Sequence, residues 1–345
     1  MTSLETGERL EYLSDYHTKD QRWDTSKSQS DIIAKYYTEL GVTKLADRID
    51  RCANTIGTVL QSNPAGEVRL KIRQVFLCHV RHCMVCQKAR TMAWYRRFLI
   101  GLPKLFEAYP NARYILLTLT VKNCPVNCLG ETLKLMSAAF KKLMARKNVS
   151  RVLLGYVRAM EVTKSEIGEA HPHFHVLLAL KPSYFGGTHY IAQDQWATMW
   201  QESLGVDYKP VIHVAKLKLK ESMVKTQVDV AKEAMGELYD QLAVKEQEVK
   251  TAVRETVKYQ VKGSDLVGKG TQADKEWLYE ITKQLDSTKQ INLSGIFREF
   301  IKETTVEERE AFEKSLEENP EEFKDIDELF FKWIRVLKRY ARVVS

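Results

Sequence analysis

The amino-acid sequence predicts an α+β fold built around an antiparallel sheet of about five strands. Segments with the alternating or continuously apolar pattern of strands occur at four places, namely 113–121, 152–164, 173–180 and 209–217. Apolar residues at helical spacing separate the first segment from the second and the third from the fourth. The order strand, helix, strand, strand, helix, strand is that of a split βαβ unit of the ferredoxin-like type. Such a unit predicts a mostly antiparallel sheet with flanking helices.

The helices inside this unit are predicted at 131–145, where apolar residues recur three and four positions apart, and at 196–205, the stretch WATMWQESLG. Before the unit, residues 66–77 alternate apolar and basic side chains, which predicts a strand. Residues 90–109 change to helical spacing. We therefore expect one further strand and one further helix ahead of the sheet unit.

The two ends of the chain lack strand patterns. Residues 1–48 are polar, with one helical patch, IIAKYYTELG, and we predict an arm there. Residues 217–262 are charged and are predicted to be mostly helical up to a stop at Gly263. Residues 275–345 are predicted to be helical as well.

These patterns divide the chain into four consecutive parts. They are a polar arm at 1–48, a cysteine-rich module with a basic segment at 49–110, the sheet domain with its charged helical insertion at 111–265, and a helical C-terminal region with an acidic segment at 266–345. With 345 residues, of which 44% are apolar, the chain is long enough to bury a sizeable core.

Charge is distributed unevenly along the chain. Residues 303–328 carry twelve acidic and three basic side chains, although the whole chain has a formal net charge of +8. Residues 68–106 hold nine Lys or Arg and no acid, interleaved with aromatic side chains. This composition suits a polyanionic partner, and we expect Arg90, Arg96 and Arg97 to contact DNA. A basic solvated face is an equally good interpretation of this segment taken alone.

Targeting signals are not evident. The N-terminal stretch lacks the basic patch and apolar core of a secretory signal, and no apolar run approaches the length of a membrane span. We therefore expect a cytoplasmic protein without a membrane partner. Its six cysteines are then expected to be thiols or metal ligands rather than disulfides.

The segment HPHFH at 171–175 holds three of the eight histidines, immediately before the apolar run VLLAL. Side chains alternate faces along a strand, so His173 and His175 face the same way while Phe174 faces the core. Two imidazoles on one face can hold a single cation. Pro172 lacks an amide donor, and we therefore place His171 at the mouth of the strand rather than within the ladder.

Glu161 lies in an otherwise apolar stretch of the neighbouring predicted strand, RAMEVTK. A buried carboxylate needs a partner, and a His, His, Glu set would leave coordination positions open for phosphate and water. The alternatives are ordinary strand histidines and a Glu161 paired with Arg158 or Lys164. A nucleophilic side chain near these residues would favour the interpretation as a metal site over these alternatives.

The stretch TAVRETVKYQVKGSDL contains such a nucleophile. If it is helical, Glu255 and Tyr259 are four residues apart and share a face, beside Lys258 and Lys262. A tyrosine can attack phosphorus to form a phosphotyrosine link, and neighbouring ammonium groups favour its phenolate. An isolated surface tyrosine in a lysine-rich helix is the competing interpretation.

The cysteines upstream have the spacing of a metal site. Cys83 and Cys86 form a CxxC pair, and Cys78 lies five residues before Cys83. Four ligands would make a closed structural zinc site, with Cys52, His79 or His82 in the fourth position. Buried free thiols are the alternative. Cys124 and Cys128, in CPVNC, are assigned no role.

The sequence resembles the HUH endonucleases, and within them the rolling-circle plasmid replication initiators of the Rep_1 type. The matching motifs follow the order of that family: RCAN at 51–54, CHVRHCMVCQKAR at 78–90, LTLT at 117–120, EVT at 161–163, HPHFHVLL at 171–178 and KYQVKGSDL at 258–266. The resemblance covers about residues 50–300, and the segment 217–250 and the acidic tail lie outside it.

The resemblance implies a five-stranded antiparallel sheet with two histidines on a central strand. It implies that Glu161, His173 and His175 hold Mn²⁺ or Mg²⁺, and that Tyr259 attacks the scissile phosphate, leaving the protein on the 5′ end and a free 3′-OH that primes synthesis. Glu255 matches the acid of this subgroup, which activates a water or assists the terminating cleavage. Cys52 matches the family pattern and completes a structural zinc site with Cys78, Cys83 and Cys86.

The resemblance also implies partners, namely single-stranded origin DNA, which Lys258 and Lys262 would contact, and the host helicase and replication machinery. Two other functions are weighed against it. A transposase or conjugative relaxase would share the chemistry, but relaxases commonly use three metal histidines and an N-terminal tyrosine, a pattern that this chain lacks. A zinc-containing DNA-binding regulator without catalysis is the second alternative.

Overall fold

The structure is a computed structural model that describes residues 10–16, 21–217, 237–257, 260–303, 305 and 323–343. The helices of this described part are α1 Leu13–Tyr16, α2 Gln21–Glu39, α3 Thr43–Arg51, α4 Met84–Ala108, α5 Leu129–Ala145, α6 Lys147–Ser150, α7 Gln193–Leu204, α8 Glu237–Thr256, α9 Gly263–Val267, α10 Gln272–Gln284 and α11 Ile296–Phe300. Its strands are β1 Thr55–Ser62, β2 Val68–Val75, β3 Arg113–Thr120, β4 Leu153–Lys164, β5 Ala170–Leu180, β6 Ile212–Lys216, β7 Ile291–Gly295, β8 Lys324–Ile334 and β9 Arg339–Val343.

The chain forms two compact units, each assembled from separate segments. The first unit comprises Met1–Arg90, Gly263–Tyr279 and Thr305–Ser345, and the second comprises Thr91–Lys262 and Glu280–Thr304. The four consecutive parts predicted from the sequence do not coincide with these units. Composition changes along a chain mark linear segments, whereas a compact unit is defined by contacts between distant segments.

The second unit contains a five-stranded sheet in the order β6-β3-β5-β4-β7. Every neighbouring pair in it is antiparallel. The prediction of an antiparallel sheet of about five strands is therefore confirmed, and the four strands of the split βαβ unit lie in the order that this topology requires. Strand β5, which carries the histidines, lies at the centre of the sheet.

Helices cover both faces of this sheet. On one face, Phe140 of α5 packs edge-on against Phe174 of β5, with ring centroids 6.0 Å apart. On the other face, Val157 of β4 and Leu177 of β5 join a buried cluster that includes Val253 of α8. Successive strand residues point to opposite faces, so the two faces present different side chains to different helices.

The first unit contains a four-stranded antiparallel sheet in the order β2-β1-β8-β9. Its core holds Leu13, Ile56, Leu329, Phe331 and Tyr340, all of them buried. Strand β8 pairs along the whole of β1, so this sheet joins residues separated by about 270 positions in the chain.

The prediction of a helical C-terminal region is confirmed for α10 and α11 but is wrong for β7, β8 and β9, which lie within the same region. In β8, Leu329, Phe331 and Trp333 are buried, whereas Phe330 between the first two is 42% exposed. This alternation is the two-residue period of a half-buried strand.

The prediction of a polar arm at residues 1–48 is also wrong where the structure describes it. Helix α2 buries Ile33 and Tyr37 completely, and with them the side chain of Lys27. The Lys27 ammonium pairs with Asp31 at 3.1 Å and donates to the Asp50 carbonyl at 3.0 Å. Lysine and serine suggest a surface, but here their polar atoms have partners inside the fold.

The charged stretch 217–262 is helical over Glu237–Thr256, while residues 218–236 lie outside the described residues. Gly263 begins the short helix α9 instead of ending a long one. A Cβ atom at Gly263 would lie 2.5 Å from Gln29 Oε1, the end of a flexible side chain that would have to move. In the described part of the chain, no helix is both long enough and apolar enough to cross a membrane.

Candidate functional site

Three side chains converge on one face of the five-stranded sheet. Glu161 of β4 lies directly opposite His173 of β5 in the antiparallel register. The Glu161 Oε2 atom is 3.2 Å from His173 Nε2 and 2.8 Å from His175 Nε2. All three potential ligand atoms lie within 4.8 Å of one another. The sequence predicts that these three side chains lie close together, and in the structure they do.

The second nitrogen of each imidazole has its own partner. His173 Nδ1 is 3.3 Å from the His171 carbonyl oxygen, and His175 Nδ1 is 3.4 Å from Thr118 Oγ1. These contacts orient both rings so that Nε2 faces Glu161, which is the usual arrangement around metal-binding histidines. Thr118 belongs to the LTLT motif, and its position opposite His175 in the sheet register shows why that motif accompanies the histidines.

The hydrogen-bond partners of His173 show which of its ring nitrogens is free to bind a metal ion. The His171 carbonyl can only accept, so His173 Nδ1 carries the ring hydrogen and donates it. In the neutral ring, Nε2 then directs a lone pair at the Glu161 carboxylate, which also offers only lone pairs. A cation between the two atoms satisfies both, so the donor set fits a divalent metal.

The electrostatics of Glu161 agree with this fit. Burial by itself would raise the pKa of Glu161, but the imidazole nitrogens of His173 and His175 beside the carboxylate lower it well below the ordinary value. The carboxylate is therefore ionised across the physiological range and available as a ligand. Its side chain is only 13% exposed, which strengthens its attraction for a cation.

The position of His171 differs from the prediction. Strand β5 begins at Ala170, and His171 pairs with Thr163 inside the ladder rather than at the mouth of the strand. Its Nδ1 atom lies 2.7 Å from Asn123 Oδ1, and burial lowers its pKa. Pro172 is tolerated because its partner, Val162, directs its own N–H away from β5 to Gln260.

The segment that carries the predicted nucleophile is described only in part. Helix α8 ends at Thr256, so Glu255 lies in its last turn. Lys258 and Tyr259 lie outside the described residues. The Glu255 side chain is exposed on the last turn of α8, whereas Val257 is buried.

Gln260, the residue after Tyr259 in the chain, contacts the strand that carries Glu161. Its carbonyl oxygen accepts a hydrogen bond of 2.8 Å from the N–H of Val162, the residue after Glu161. This contact was not predicted, because nothing in the local sequence indicates that residues a hundred positions apart will pair. It holds the backbone around position 260 against the edge of β4 near the candidate metal site.

The predicted DNA-binding residues have different surroundings. Lys262 is exposed, and Arg96 is half-buried on α4. Arg97 pairs with Glu303 at 3.2 Å and lies over the Trp94 ring. Arg90 donates to the carbonyl oxygens of Val80 and Arg81, at 3.2 and 2.6 Å. Its guanidinium therefore stabilises the loop between Cys78 and Cys83 through these two hydrogen bonds.

The four predicted zinc ligands, Cys52, Cys78, Cys83 and Cys86, form a buried cluster in the first unit. The sulfur of Cys52 lies 3.6 Å from those of Cys86 and Cys83, and Cys78 lies 3.6 Å from Cys86. Four thiolates around zinc, with bonds of about 2.3 Å, place their sulfurs about 3.8 Å apart, whereas a disulfide requires about 2.05 Å. The spacing therefore fits a tetrahedral metal site.

Backbone amides support the sulfurs of this cluster. The N–H of Cys78 donates to Cys52 Sγ at 3.4 Å, and the N–H of His79 donates to Cys86 Sγ at 3.2 Å. The hydrogen bonds from Cys52, Cys78 and Cys86 lower the pKa of Cys83, whereas the same contacts raise the pKa of Cys52, so Cys83 is the thiol of this pair that ionises first. Thiolates are the form that binds zinc.

The two histidines that compete for the fourth position lie elsewhere. His79 is exposed. His82 is buried, its Nδ1 lies 3.3 Å from Tyr37 Oη, and burial lowers its pKa to about 3. The fourth position belongs to Cys52, as the predicted pattern required, and Tyr37 and Ser30 of helix α2 pack around the cluster.

Comparison with known proteins identifies relatives of the chain. A family model, Rep_1, described as "Replication protein", matches residues 69–341. The protein rep of Lentilactobacillus hilgardii is 29% identical over 294 residues, 85% of each chain. The protein rep of Bacillus amyloliquefaciens is 31% identical over 340 residues, 93% of this chain and 94% of that one. One from Streptococcus pneumoniae is 32% identical over 247 residues, 66% of this chain and 76% of the relative. No solved structure matches.

Proposed function

Because the chain belongs to the Rep_1 family of replication proteins, we propose that it initiates rolling-circle replication of a plasmid. In this proposal it nicks and rejoins single-stranded DNA at the origin through a 5′-phosphotyrosine intermediate. The observation that carries the proposal is the convergence of Glu161, His173 and His175, together with the hydrogen bond that holds Gln260 beside them. The HUH endonuclease fold is proposed on the same grounds, since two histidines lie on the central strand of a five-stranded antiparallel sheet.

Glu161, His173 and His175 would hold Mn²⁺ or Mg²⁺. A divalent cation bound there would polarise the oxygens of the scissile phosphate. Mg²⁺ prefers oxygen ligands at octahedral positions, so the two imidazole nitrogens suit it less well than a transition-metal ion such as Mn²⁺. The surrounding sheet excludes water from one side of the three ligands, since His173 is only 9% exposed.

Tyr259 is the proposed nucleophile. Its phenolic oxygen loses a proton and bonds to phosphorus, the bond from phosphorus to the 3′ oxygen breaks, and the 3′ oxygen takes up a proton to become a free hydroxyl. The protein is then attached to the 5′ phosphate. Lys258 and Lys262 would favour the phenolate by their positive charge and would contact the phosphodiester.

Glu255 is proposed to act after the first cleavage. Its exposed position on the last turn of α8 gives the carboxylate access to water and to a DNA end. By removing a proton from water, or by assisting the terminating cleavage, it would let one protein finish a cycle without a second tyrosine. The roles of Tyr259 and Glu255 are separable by mutation.

The four-cysteine cluster is proposed to hold a structural zinc ion. Its closed tetrahedral spacing leaves no open coordination position, as structural sites require. DNA would be contacted by Arg96 and Arg97 of the basic segment, while Arg90 supports the cysteine loop. A host helicase and the replication machinery are the proposed protein partners.

A cleavage assay tests the proposal. The full chain is incubated with Mn²⁺ and labelled single-stranded hairpins that together cover the DNA flanking the gene, and the products are separated under denaturing conditions. We expect a nicked strand, a free 3′-OH and a protein–DNA adduct that disappears in the Glu161→Ala variant. Binding without any cleavage would instead favour the non-catalytic regulator. Cleavage at an unrelated transfer site would favour a relaxase.

A further inference from the structure

A cavity of about 660 Å³ opens on the face of the five-stranded sheet opposite Glu161. The faces are distinguished by strand alternation, since Arg158 and Met160 of β4 line the cavity, whereas Glu161 points the other way. Helix α5 forms one wall, and the end of α10 with the following residues forms another. The lining side chains that the argument uses are Lys134, Lys141, Phe140, Tyr156, Arg158 and Lys289.

Positive charge dominates this cavity. Lys283 and the four basic residues already named line it, together with one acidic side chain, that of Asp286. Within the described residues, no ion pair involves Lys134, Lys141 or Lys289, whereas Lys283 lies 3.9 Å from Glu280. Because like charges repel, such a cluster is stabilised by a bound anion.

Arg158 is the most informative of these residues. Its guanidinium lies over the Phe174 ring at 4.4 Å and the Phe140 ring at 5.2 Å. Its Nε atom is buried and, among the described residues, has no hydrogen-bond acceptor. Burial lowers its pKa, so the environment penalises the charged form, and no described acidic side chain forms an ion pair with it. Partial burial of a guanidinium is costly, and an anion in the cavity would balance the positive charge of Arg158.

The geometry of the cavity indicates what kind of anion fits. The planar guanidinium of arginine matches two oxygens of a phosphate, and lysines around it add point charges. A volume of about 660 Å³ is that of a small-molecule site and is too small for a duplex. The half-buried ring of Tyr156 beside Phe140 offers an aromatic surface for a sugar or base.

We propose that this cavity binds a nucleotide through its phosphate, either as a free deoxynucleotide or as one residue of a DNA strand. Arg158, Lys134, Lys141 and Lys289 hold the phosphate, and Tyr156 contacts the nucleoside. The site lies on the opposite face from Glu161 and involves neither the metal ligands nor Tyr259. Nucleotide binding at this site can therefore be tested independently of the proposed nicking activity.

Calorimetric titration of the full chain with two probes tests the proposal. The probes are dATP and an oligothymidylate of four nucleotides, both without added metal. We expect saturable binding of at least one probe at one site per chain. The Lys141→Ala/Lys289→Ala double variant should bind it about tenfold more weakly or worse, since a hydrogen bond to a charged group contributes about 1.5–3 kcal/mol, and the lower value already converts to about tenfold.

Lys142→Ala is the matched control, because Lys142 is an exposed neighbour on the same helix that does not line the cavity. Its affinity should equal that of the wild type. Binding of dATP identifies a free nucleotide as ligand, and binding of the oligonucleotide alone identifies a strand. The proposal is overturned if neither probe binds saturably, if the double variant binds like Lys142→Ala, or if Glu161→Ala abolishes the binding.

Discussion

The backbone N–H of Val162 donates a 2.8 Å hydrogen bond to the carbonyl oxygen of Gln260. Val162 follows Glu161 in the chain, and Gln260 follows Tyr259. A proposed metal ligand and the proposed nucleophile are therefore each one peptide bond away from this contact. The contact supports the nicking proposal, because attack on a metal-held phosphate requires both groups at one place.

The first prediction concerns the metal ligands. Glu161→Ala removes one of three donors and leaves two neutral imidazoles, so affinity for Mn²⁺ should fall by at least about a hundredfold, more than the loss of an outer-shell partner costs. Electron paramagnetic resonance of free Mn²⁺ measures this affinity directly. Glu166→Ala, at an exposed acid five residues away, should bind Mn²⁺ like the wild type. Equal affinities in both variants would exclude Glu161 as a ligand.

The second prediction concerns the nucleophile. Tyr259→Phe removes the attacking oxygen and keeps the ring, so cleavage and the covalent adduct should both vanish. Affinity for the hairpin should persist, because it comes mainly from phosphate contacts by Lys and Arg. Denaturing gels report the adduct, and mobility shifts report the binding. Tyr239→Phe is the control and should cleave normally; an adduct in Tyr259→Phe would show that another residue attacks.

The third prediction separates Glu255 from Tyr259. In Glu255→Ala the first nick and the adduct should form at near-normal rates, while release of the protein from DNA should slow by about 10²- to 10⁴-fold, as expected for loss of a general base. Time courses of adduct formation and decay measure both steps. If the first cleavage is lost as completely as in Tyr259→Phe, the carboxylate is instead a metal ligand or the base for the tyrosine.

The fourth prediction concerns zinc. The wild-type chain should contain one zinc ion, and Cys83→Ser should lose it and unfold at lower temperature, because the binding energy of a structural site is folding energy. Elemental analysis gives the zinc content, and calorimetry gives the unfolding temperature. Cys128→Ser changes an exposed cysteine and should affect neither quantity. Wild-type protein without zinc would contradict the assignment.

The fifth prediction tests the strand that replaced the expected C-terminal helix. Phe331 is fully buried in β8, so Phe331→Ala should lower the free energy of unfolding by about 3–5 kcal/mol. Phe330→Ala, at a partly exposed neighbour, should cost less than half as much. Urea unfolding measures both. Equal losses in the two variants would contradict the alternating burial of this strand.

The residues of the candidate metal site could be predicted because the information is local. The spacing of His173 and His175 places both on one face of any strand, and Glu161 belongs to the neighbouring strand of the predicted unit. The cysteine spacing likewise indicates a site before any fold is known. The predicted order of strands and helices in the central sheet depends on the same local periodicities.

Only the tertiary structure decided where distant segments meet. Nothing in the local sequence pairs β8 with β1, attaches Gln260 to Val162 or directs Arg90 to the carbonyl oxygens of the cysteine loop. A lysine such as Lys27 suggests a surface until Asp31 and a backbone carbonyl surround it. Periodicity determines which face of an element is apolar, but which other element covers that face depends on burial and hydrogen bonding summed over the whole chain.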